Sequence, residues 1–357
     1  MNEQQKSKVR VGIVGVSGYS GMELSRILAN HPHFELALAT TDRWQGKTLG
    51  QKVALLGPSA EVVCASQAEG QARFGEVSLL FFCTPAEASI DLAPKALAAK
   101  ARVVDLSGAF RLRAEDYPAW YGFTHAQPGL LQEAVYSMPE ATGNAEAVRT
   151  ARLLSNPGCY PTPSTFAVLP LLRAGLVQPS PIFIDAKSGT TGAGRKASEE
   201  MSFSETADDI RAYRVLRHQH QPEIELALER SGAPGATVVF TPHLLPVRRG
   251  IQAAAYCQLK PGVTDPVAAV KQALESFASG KPFVRVVTPE EVRLAAVVGT
   301  NRVLIAATVD VKRQVVLAFA AADNLVKGAA GQAVQNANQM FGYEESAGLL
   351  GLAGHMP

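Results

Sequence analysis

The chain has 357 residues, 47% of them apolar and 18% charged, with 34 basic against 32 acidic side chains for a net charge of +2. That length exceeds one comfortable core and predicts two domains of an ordinary folded protein. The near balance of charge, with no long basic run, argues against nucleic acid or a membrane surface as the main partner.

The four cysteines, Cys64, Cys83, Cys159 and Cys257, lie far apart with no Cys-x-x-Cys pair. Neither a metal site nor a disulfide framework is indicated, and a reducing compartment fits. The polar run 1–6 lacks the apolar region of a signal peptide, and no apolar stretch approaches a membrane span. The expected location is the cytoplasm.

Val9-Arg10-Val11-Gly12-Ile13-Val14 reads as a short buried strand, and 22–28 as a helix. Between them Gly15, Gly18 and Gly21 let the backbone turn tightly and approach a phosphate, with a helix N-terminus behind. The spacing is G-x-x-G-x-x-G, not G-x-G-x-x-G, and its place inside a strand-turn-helix unit carries the nucleotide reading. A second strand, 34–41, runs into Asp42-Arg43-Trp44-Gln45-Gly46-Lys47. Asp42 suits ribose hydroxyls, whereas Arg43 and Lys47 suit a 2′-phosphate better, which favours NADP over NAD. The competing reading of this segment is a solvated charged loop.

Two further strands are expected, 77–85 and 101–107, around an alanine-rich helix 86–99. Strands alternating with helices mean crossover units and a parallel sheet, whose ligands sit at the strands' carboxyl ends. The Cys83-Thr84-Pro85 and Ser107-Gly108 turns should then line a cofactor cleft. The apolar segment 148–154, read as a strand, leads into a tight Pro-Gly turn, Ser155-Asn156-Pro157-Gly158-Cys159-Tyr160-Pro161-Thr162-Pro163, and helical spacing follows over 164–172. Pro161 and Pro163 suit a first helical turn. A thiol there faces unpaired N–H groups and the positive end of a helix, which favour the thiolate and mark Cys159 as a candidate nucleophile. The bland alternative is a small buried hydrophobe.

Beyond it, 181–187 reads as a strand followed by a second glycine loop, 188–196, whose Arg195 and Lys196 suit an anion. A flexible linker is the competing reading there. His218 and His220 stand at i, i+2 before Pro222-Glu223, at the entrance to a helix over 223–230. A neutral imidazole near a thiol is the usual acid-base partner; hydrogen-bonded surface histidines are the alternative. Segments 238–250, 251–259, 301–311 and 314–321 predict strands with short connections, hence a mixed sheet. A small-residue helix is expected over 323–336, and the last residues, 347–357, read as frayed.

Taken together these motifs resemble the N-acetyl-γ-glutamyl-phosphate reductases, NADPH-dependent enzymes of arginine biosynthesis related to aspartate-semialdehyde dehydrogenase. The resemblance runs nearly end to end. It rests on Gly15-x-x-Gly18-x-x-Gly21, Thr41-x-Arg43 with Gly46-Lys47, Asp105-Leu106-Ser107, Trp120-Tyr121-Gly122 with His125, and Asn156-Pro157-Gly158-Cys159-Tyr160-Pro161-Thr162. Ser188-Gly189 with Gly192-Ala193-Gly194-Arg195, His218-x-His220-x-Pro222-Glu223, Thr241-Pro242-His243 and Asp323-Asn324-Leu325-x-Lys327-Gly328 complete it. The chain departs at Thr84-Pro85-Ala86-Glu87, where the family usually has Leu-Pro-His-Gly, and at Ser107-Gly108-Ala109-Phe110-Arg111, where it usually has Ser-Ala-Asp-Phe-Arg.

The resemblance implies an α/β protein with an NADP-binding Rossmann-like, doubly wound parallel sheet over 1–158, completed by the C-terminal helix 323–357. A second α+β domain with a mixed sheet, 159–322, would carry catalysis and oligomerisation. It implies Cys159 as nucleophile with His218 as acid-base partner and His220 close by. Cofactor contacts would come from Gly15, Ser17, Gly18, Tyr19, Ser20, Gly21, Thr41, Arg43, Lys47, Cys83, Thr84, Pro85, Ser107, Ser188, Gly189 and Asn324. Arg111, Asn156, Arg195 and Lys196 would meet an acyl-phosphate substrate, and a homodimer or tetramer is expected. Rival readings are a carrier-protein-linked aminoadipyl- or glutamyl-phosphate reductase, an aspartate-semialdehyde dehydrogenase, or a non-catalytic NADP-binding protein.

Overall fold

The computed structural model describes residues 8–54 and 57–352. The N-terminal run 1–6 and the last part of the expected C-terminal helix, 353–357, lie outside the described residues.

Seven strands form the first sheet: β1 (Val9–Val14), β2 (Phe34–Thr40), β3 (Cys64–Ala65), β4 (Leu79–Phe82), β5 (Arg102–Asp105), β6 (Val135–Tyr136) and β7 (Leu153–Ser155). Their order is β3-β2-β1-β4-β5-β7-β6, every pair parallel. The order reverses between β1 and β4, so the carboxyl ends of these strands open a crevice where ligands dock in such sheets. Both faces are apolar because helices cover both. Val11, Ile13, Leu79 and Phe81 bury on one side, while Val14, Leu38, Leu80 and Phe82 bury on the other. Helix α1 (Tyr19–Ala29) follows β1, and α2 (Ala86–Ala98) links β4 to β5.

The second sheet comprises β8 (Ile182–Gly189), β9 (Arg211–Ala212), β10 (Val238–Leu245), β11 (Ile251–Gln258), β12 (Val284–Val286), β13 (Val303–Asp310) and β14 (Val315–Ala322). In the order β12-β13-β14-β11-β8-β10-β9, two pairs are parallel and the rest antiparallel, so the sheet is mixed as expected. Helices α3 (Pro161–Arg173), α4 (His220–Arg230) and α5 (Pro266–Ala278) supply apolar side chains to the core on one face of this sheet. Every residue of α3 from Pro161 to Leu171 is buried. It is a core helix, with polar positions Thr162, Ser164 and Thr165 inside as well.

Three expectations about elements are corrected. Segment 148–154 is the end of a short helix, Ala145–Thr150, followed by the strand Leu153–Ser155. The helix expected from 323 starts later: Asp323 Oδ1 accepts the Leu325 and Val326 N–H groups, 2.8 and 3.1 Å, and so caps the segment instead of joining it. A single π-helical turn, Val326–Ala330, then opens α6 (Gly331–Met340). Finally, β8 continues to Gly189, so the second glycine loop is a short 3-10 turn, Thr190–Ala193, and its flanks.

Candidate active site

Cys159 sits where β7 gives way to α3, at the carboxyl end of the first sheet and the N-terminus of the second unit's buried helix. The turn is tied down from several directions. Asn156 N–H donates to Asp105 O at 2.8 Å, and Arg111 Nε donates to Asn156 O at 2.9 Å. Gly158 N–H donates to Glu223 Oε1 at 2.7 Å, and the same oxygen accepts from Tyr136 Oη at 3.1 Å. Glu223 Oε2 lies 3.4 Å from Arg111 Nη1, a fully buried pair. A β-carbon on Gly158 would lie 2.5 Å from His220 Nε2 and 2.8 Å from Arg111 Nη1, so a side chain there would displace both groups from the turn. From the far end of the chain, a β-carbon on Gly328 would lie 3.0 Å from Cys159 Cβ; the π-helical turn forms the floor beneath the thiol.

The thiol is partly exposed to a cleft of about 780 Å³ that His218, His220, Tyr160 and Tyr213 also line. Burial pushes Cys159 up to about 11, with Arg111 opposing this and Glu223 adding to it. The helix terminus therefore does not hold a thiolate at neutral pH: desolvation outweighs it, and the thiol needs a base. Burial also pushes His218 down to about 4, helped by Arg214. His220 is held well below its ordinary value by burial, then by His218, Arg111 and Arg214. Both imidazoles are thus neutral at pH 7 and able to accept a proton. His218 Nδ1 accepts the His220 backbone N–H at 3.1 Å, which assigns its own proton to Nε2. It is His220 that leans on the Cys159 turn, through Nε2.

Across the cleft stands the first glycine turn. Gly15 has φ +89°, and a β-carbon there would lie 2.6 Å from Cys83 O; one on Gly21 would lie 2.6 Å from Gly15 O. No side chain caps α1, so its first N–H groups are free for an anion, and Gly18, Tyr19 and Ser20 line the cleft. Asp42 does not face that space: its Oδ1 accepts Gln67 N–H at 2.8 Å. Arg43 and Lys47 are exposed at the end of β2, outside the cleft wall; Thr41, also off that wall, is buried and its hydroxyl donates to Ser17 Oγ at 2.8 Å.

The cleft brings together Cys83, Thr84, Pro85, Ser188, Gly189, Arg195 and Asn324 with both histidines and Cys159. Other sequence-stated candidates lie elsewhere. Ser107 Oγ turns back onto Asp105 Oδ2 at 2.8 Å, and Leu106 takes its place on the wall. Asn156, expected to touch substrate, is buried; its amide donates to Ala329 O at 3.2 Å and accepts from Asn336 at 3.1 Å. It positions the turn. Lys196 is exposed and off the cleft wall. Arg111 lines the cleft but gives Nη2 to Leu106 O at 2.7 Å besides its bonds to Asn156 and Glu223. Sequence reasoning missed Glu223, Tyr213, Arg214 and Gly328 as site residues. Glu223 was visible as the acid after the histidine pair. Tyr213 was not: its hydroxyl donates to Tyr160 Oη at 3.0 Å, a contact made only by the fold.

Among the described residues no group of three or more His, Cys, Asp or Glu is placed to hold a metal. The semialdehyde dehydrogenase NAD binding domain matches residues 10–151, and the semialdehyde dehydrogenase dimerisation domain matches 159–324. The N-acetyl-gamma-glutamyl-phosphate reductase of Symbiobacterium thermophilum is 42% identical over 345 residues, 96% of this chain and 97% of that protein. A probable chloroplastic enzyme of the same name from Oryza sativa subsp. japonica is 40% identical, over 96% of this chain and 81% of that one. Among solved structures, aspartate semialdehyde dehydrogenase II of Vibrio cholerae superposes with a TM-score of 0.72 at 18% identity, covering 94% of this chain and 98% of that one. The NADP complex of the Candida albicans enzyme gives 0.67 at 15% identity, covering 94% and 98%. By its match to those reductases over 96% of its length, at 40–42% identity, the chain belongs to the N-acetyl-γ-glutamyl-phosphate reductase family.

Proposed function

We propose that this chain reduces N-acetyl-γ-glutamyl phosphate to the corresponding semialdehyde with NADPH, releasing phosphate, through a thioester on Cys159. One observation carries the reading: a glycine turn and a thiol flanked by neutral imidazoles open onto the same cleft. The residues fit a dinucleotide, with Gly15 and Gly21 where no side chain has room and an uncapped helix start to receive the pyrophosphate. The acid after β2 is engaged as a helix cap and two exposed cations follow it, which supports the 2′-phosphorylated coenzyme.

The chemistry follows from the protonation states. His220 takes the proton as the sulfur of Cys159 attacks the acyl carbon. The carbon–oxygen bond to phosphate breaks, and the imidazolium returns the proton to the departing phosphate. Pro161 and Pro163 leave the start of α3 short of N–H groups, so the Tyr160 and Cys159 backbone N–H groups beside the sulfur are the candidate donors to the oxyanion. Bound NADPH supplies the hydride that reduces the thioester carbon. Collapse of the resulting tetrahedral centre expels the thiolate and frees the aldehyde. A proton from solvent, passed through the imidazole, restores the thiol. Arg214, which lowers both imidazoles and lines the cleft, is our candidate for the substrate's anionic end alongside Arg111.

We divide the chain after residue 158, with the C-terminal segment returning to the first unit. We assign a homo-oligomer to the outer face of the second sheet, where Phe183 and Tyr256 are paired neighbours, 50% and 45% exposed. Four free cysteines suit the reducing cytoplasm. No described helix is long and apolar enough to cross a membrane. The test is a panel of acyl phosphates followed by coenzyme oxidation. N-acetylglutamyl phosphate should be the preferred substrate with NADPH, and a preference for the aspartyl or aminoadipyl compound would overturn the assignment.

A further inference from the structure

The basic pair Arg195-Lys196 is split by the fold. Lys196 is exposed and off the cleft wall, whereas Arg195 lines it. Arg195 Nη1 donates to Ser17 O at 3.0 Å, and its guanidinium carbon lies 5.2 Å from the centroid of the Trp44 ring. Ser17 belongs to the first glycine turn and its hydroxyl is bonded to Thr41, just past the end of β2. Trp44 closes the 3-10 turn Asp42–Trp44 that follows that strand. Arg195 therefore stands over the carboxyl ends of β1 and β2. In a doubly wound sheet with a glycine turn after β1, the adenosine ribose of a dinucleotide hangs there.

The carboxylate that would meet unmodified ribose hydroxyls, Asp42, is held on Gln67 N–H at 2.8 Å. Arg195 itself pairs with no carboxylate among the described residues; its partners are one neutral carbonyl, the Met22 sulfur at 3.6 Å and the face of an indole. A phosphate dianion is a stronger acceptor than a carbonyl, and the planar fork of a guanidinium meets two of its oxygens at once.

We infer that Arg195, carried by the second unit's glycine loop, is a ligand of the coenzyme's 2′-phosphate and a determinant of NADPH over NADH. The inference rests on the dinucleotide reading of the cleft and replaces the expectation that Arg195 holds substrate. Phosphate recognition is then shared across the cleft: Arg43 and Lys47 approach from the nucleotide-binding unit, Arg195 from the other. A coenzyme lacking the 2′-phosphate leaves Arg195 on Ser17 O and forgoes that link between the units.

The experiment is a titration of the full-length protein with NADPH and NADH by nicotinamide fluorescence, with 2′,5′-ADP and 5′-ADP as competitors. Arg195 is exposed, so the R195A and R195K proteins should fold as the parent does. R195A is expected to weaken NADPH and 2′,5′-ADP roughly 10- to 100-fold while leaving NADH and 5′-ADP unchanged. R195K, which keeps the charge and loses the fork, should fall between. Equal loss for both coenzymes overturns the inference in favour of a pyrophosphate contact. Unchanged coenzyme affinity with a raised KM for the acyl phosphate overturns it in favour of a substrate contact. Parent protein that binds neither coenzyme removes the dinucleotide reading itself, an outcome distinct from selectivity that survives R195A.

Discussion

In the turn after β1, a β-carbon on Gly15 or Gly21 would come within 2.6 Å of a main-chain oxygen. In the outer part of the turn after β8, a β-carbon on Gly194 would meet nothing within 4 Å, and one on Gly192 only side-chain ends, Ser188 Oγ at 3.2 Å and Asn324 Nδ2 at 4.0 Å. The first turn is set by backbone lying on backbone, which cannot yield. The second is anchored to main chain only at its start, where Thr190 and Thr191 N–H donate to Val247 O and Arg248 O at 2.8 and 3.1 Å; its outer part, Gly192 to Arg195, is held by side chains, Asn324 Nδ2 donating to Thr191 Oγ1 at 2.9 Å and Arg195 reaching to Ser17. One wall of the cleft is therefore rigid, and the other is adjustable over its outer part, Gly192 to Arg195. The Cys159 turn belongs with the rigid wall, because buried groups of the first and last thirds of the chain converge on it.

If that division is right, substitutions should separate chemistry from coenzyme capture. The largest effect is expected from Cys159→Ser, which should lower turnover by about 10^4-fold or more while NADPH binding persists; near-parent activity in a stopped assay would end the thioester scheme. Next comes Glu223→Gln, which leaves the buried Arg111 guanidinium without its carboxylate. Loss of one partner of a buried pair costs about 3–5 kcal/mol, read by denaturant unfolding, and kcat should fall with KM little changed. Gly21→Ala should cost about 1–3 kcal/mol and weaken NADPH, because Gly15 O and the Val16 backbone cannot move away.

Gly194→Ala is the matching change on the adjustable wall. With φ +84° but open space around it, only backbone strain of about 1–2 kcal/mol is expected, with coenzyme affinity retained. An equal loss of NADPH affinity at 194 and 21 would erase the distinction. The remaining effect concerns pH, and it falls outside the cleft. His31 is fully buried in the first unit and is pushed down to about 4, chiefly by burial. The unfolded chain binds that proton more readily, so stability should fall as pH drops from about 6.5 towards 4, by up to about 1.4 kcal/mol per pH unit. His31→Asn should flatten that slope in acid-unfolding curves; an unchanged slope would assign it to the buried pair His218 and His220.

Much of this arrangement was legible in the residues. The alternation of apolar runs with helical spacing anticipated the parallel sheet, because strands buried on both faces leave continuous apolar stretches such as Leu79-Leu80-Phe81-Phe82. Pro161 and Pro163 announced the start of α3. Strands of two residues, such as β3 and β6, leave no periodic trace and passed unseen. The ionisation of Cys159 was misjudged because a helix start can be read from local sequence, whereas the depth of burial that opposes it depends on Glu223, Gly328 and other distant residues. Asn156 was misplaced for the same reason: its partners Ala329 and Asn336 are more than 170 positions away.

The floor beneath the thiol has a bearing on how the protein is made. Cys159 leaves the ribosome long before Gly328, and until the π-helical turn has emerged the Gly328 backing of its β-carbon and the Ala329 acceptor of the Asn156 amide are both missing. A nascent chain halted anywhere before that turn can finish its first parallel strands yet carries an unshaped, unshielded sulfur. Translation itself thus sets the moment at which the nucleophile is completed, and a stop codon ahead of residues 326–330 leaves the thiol without its floor.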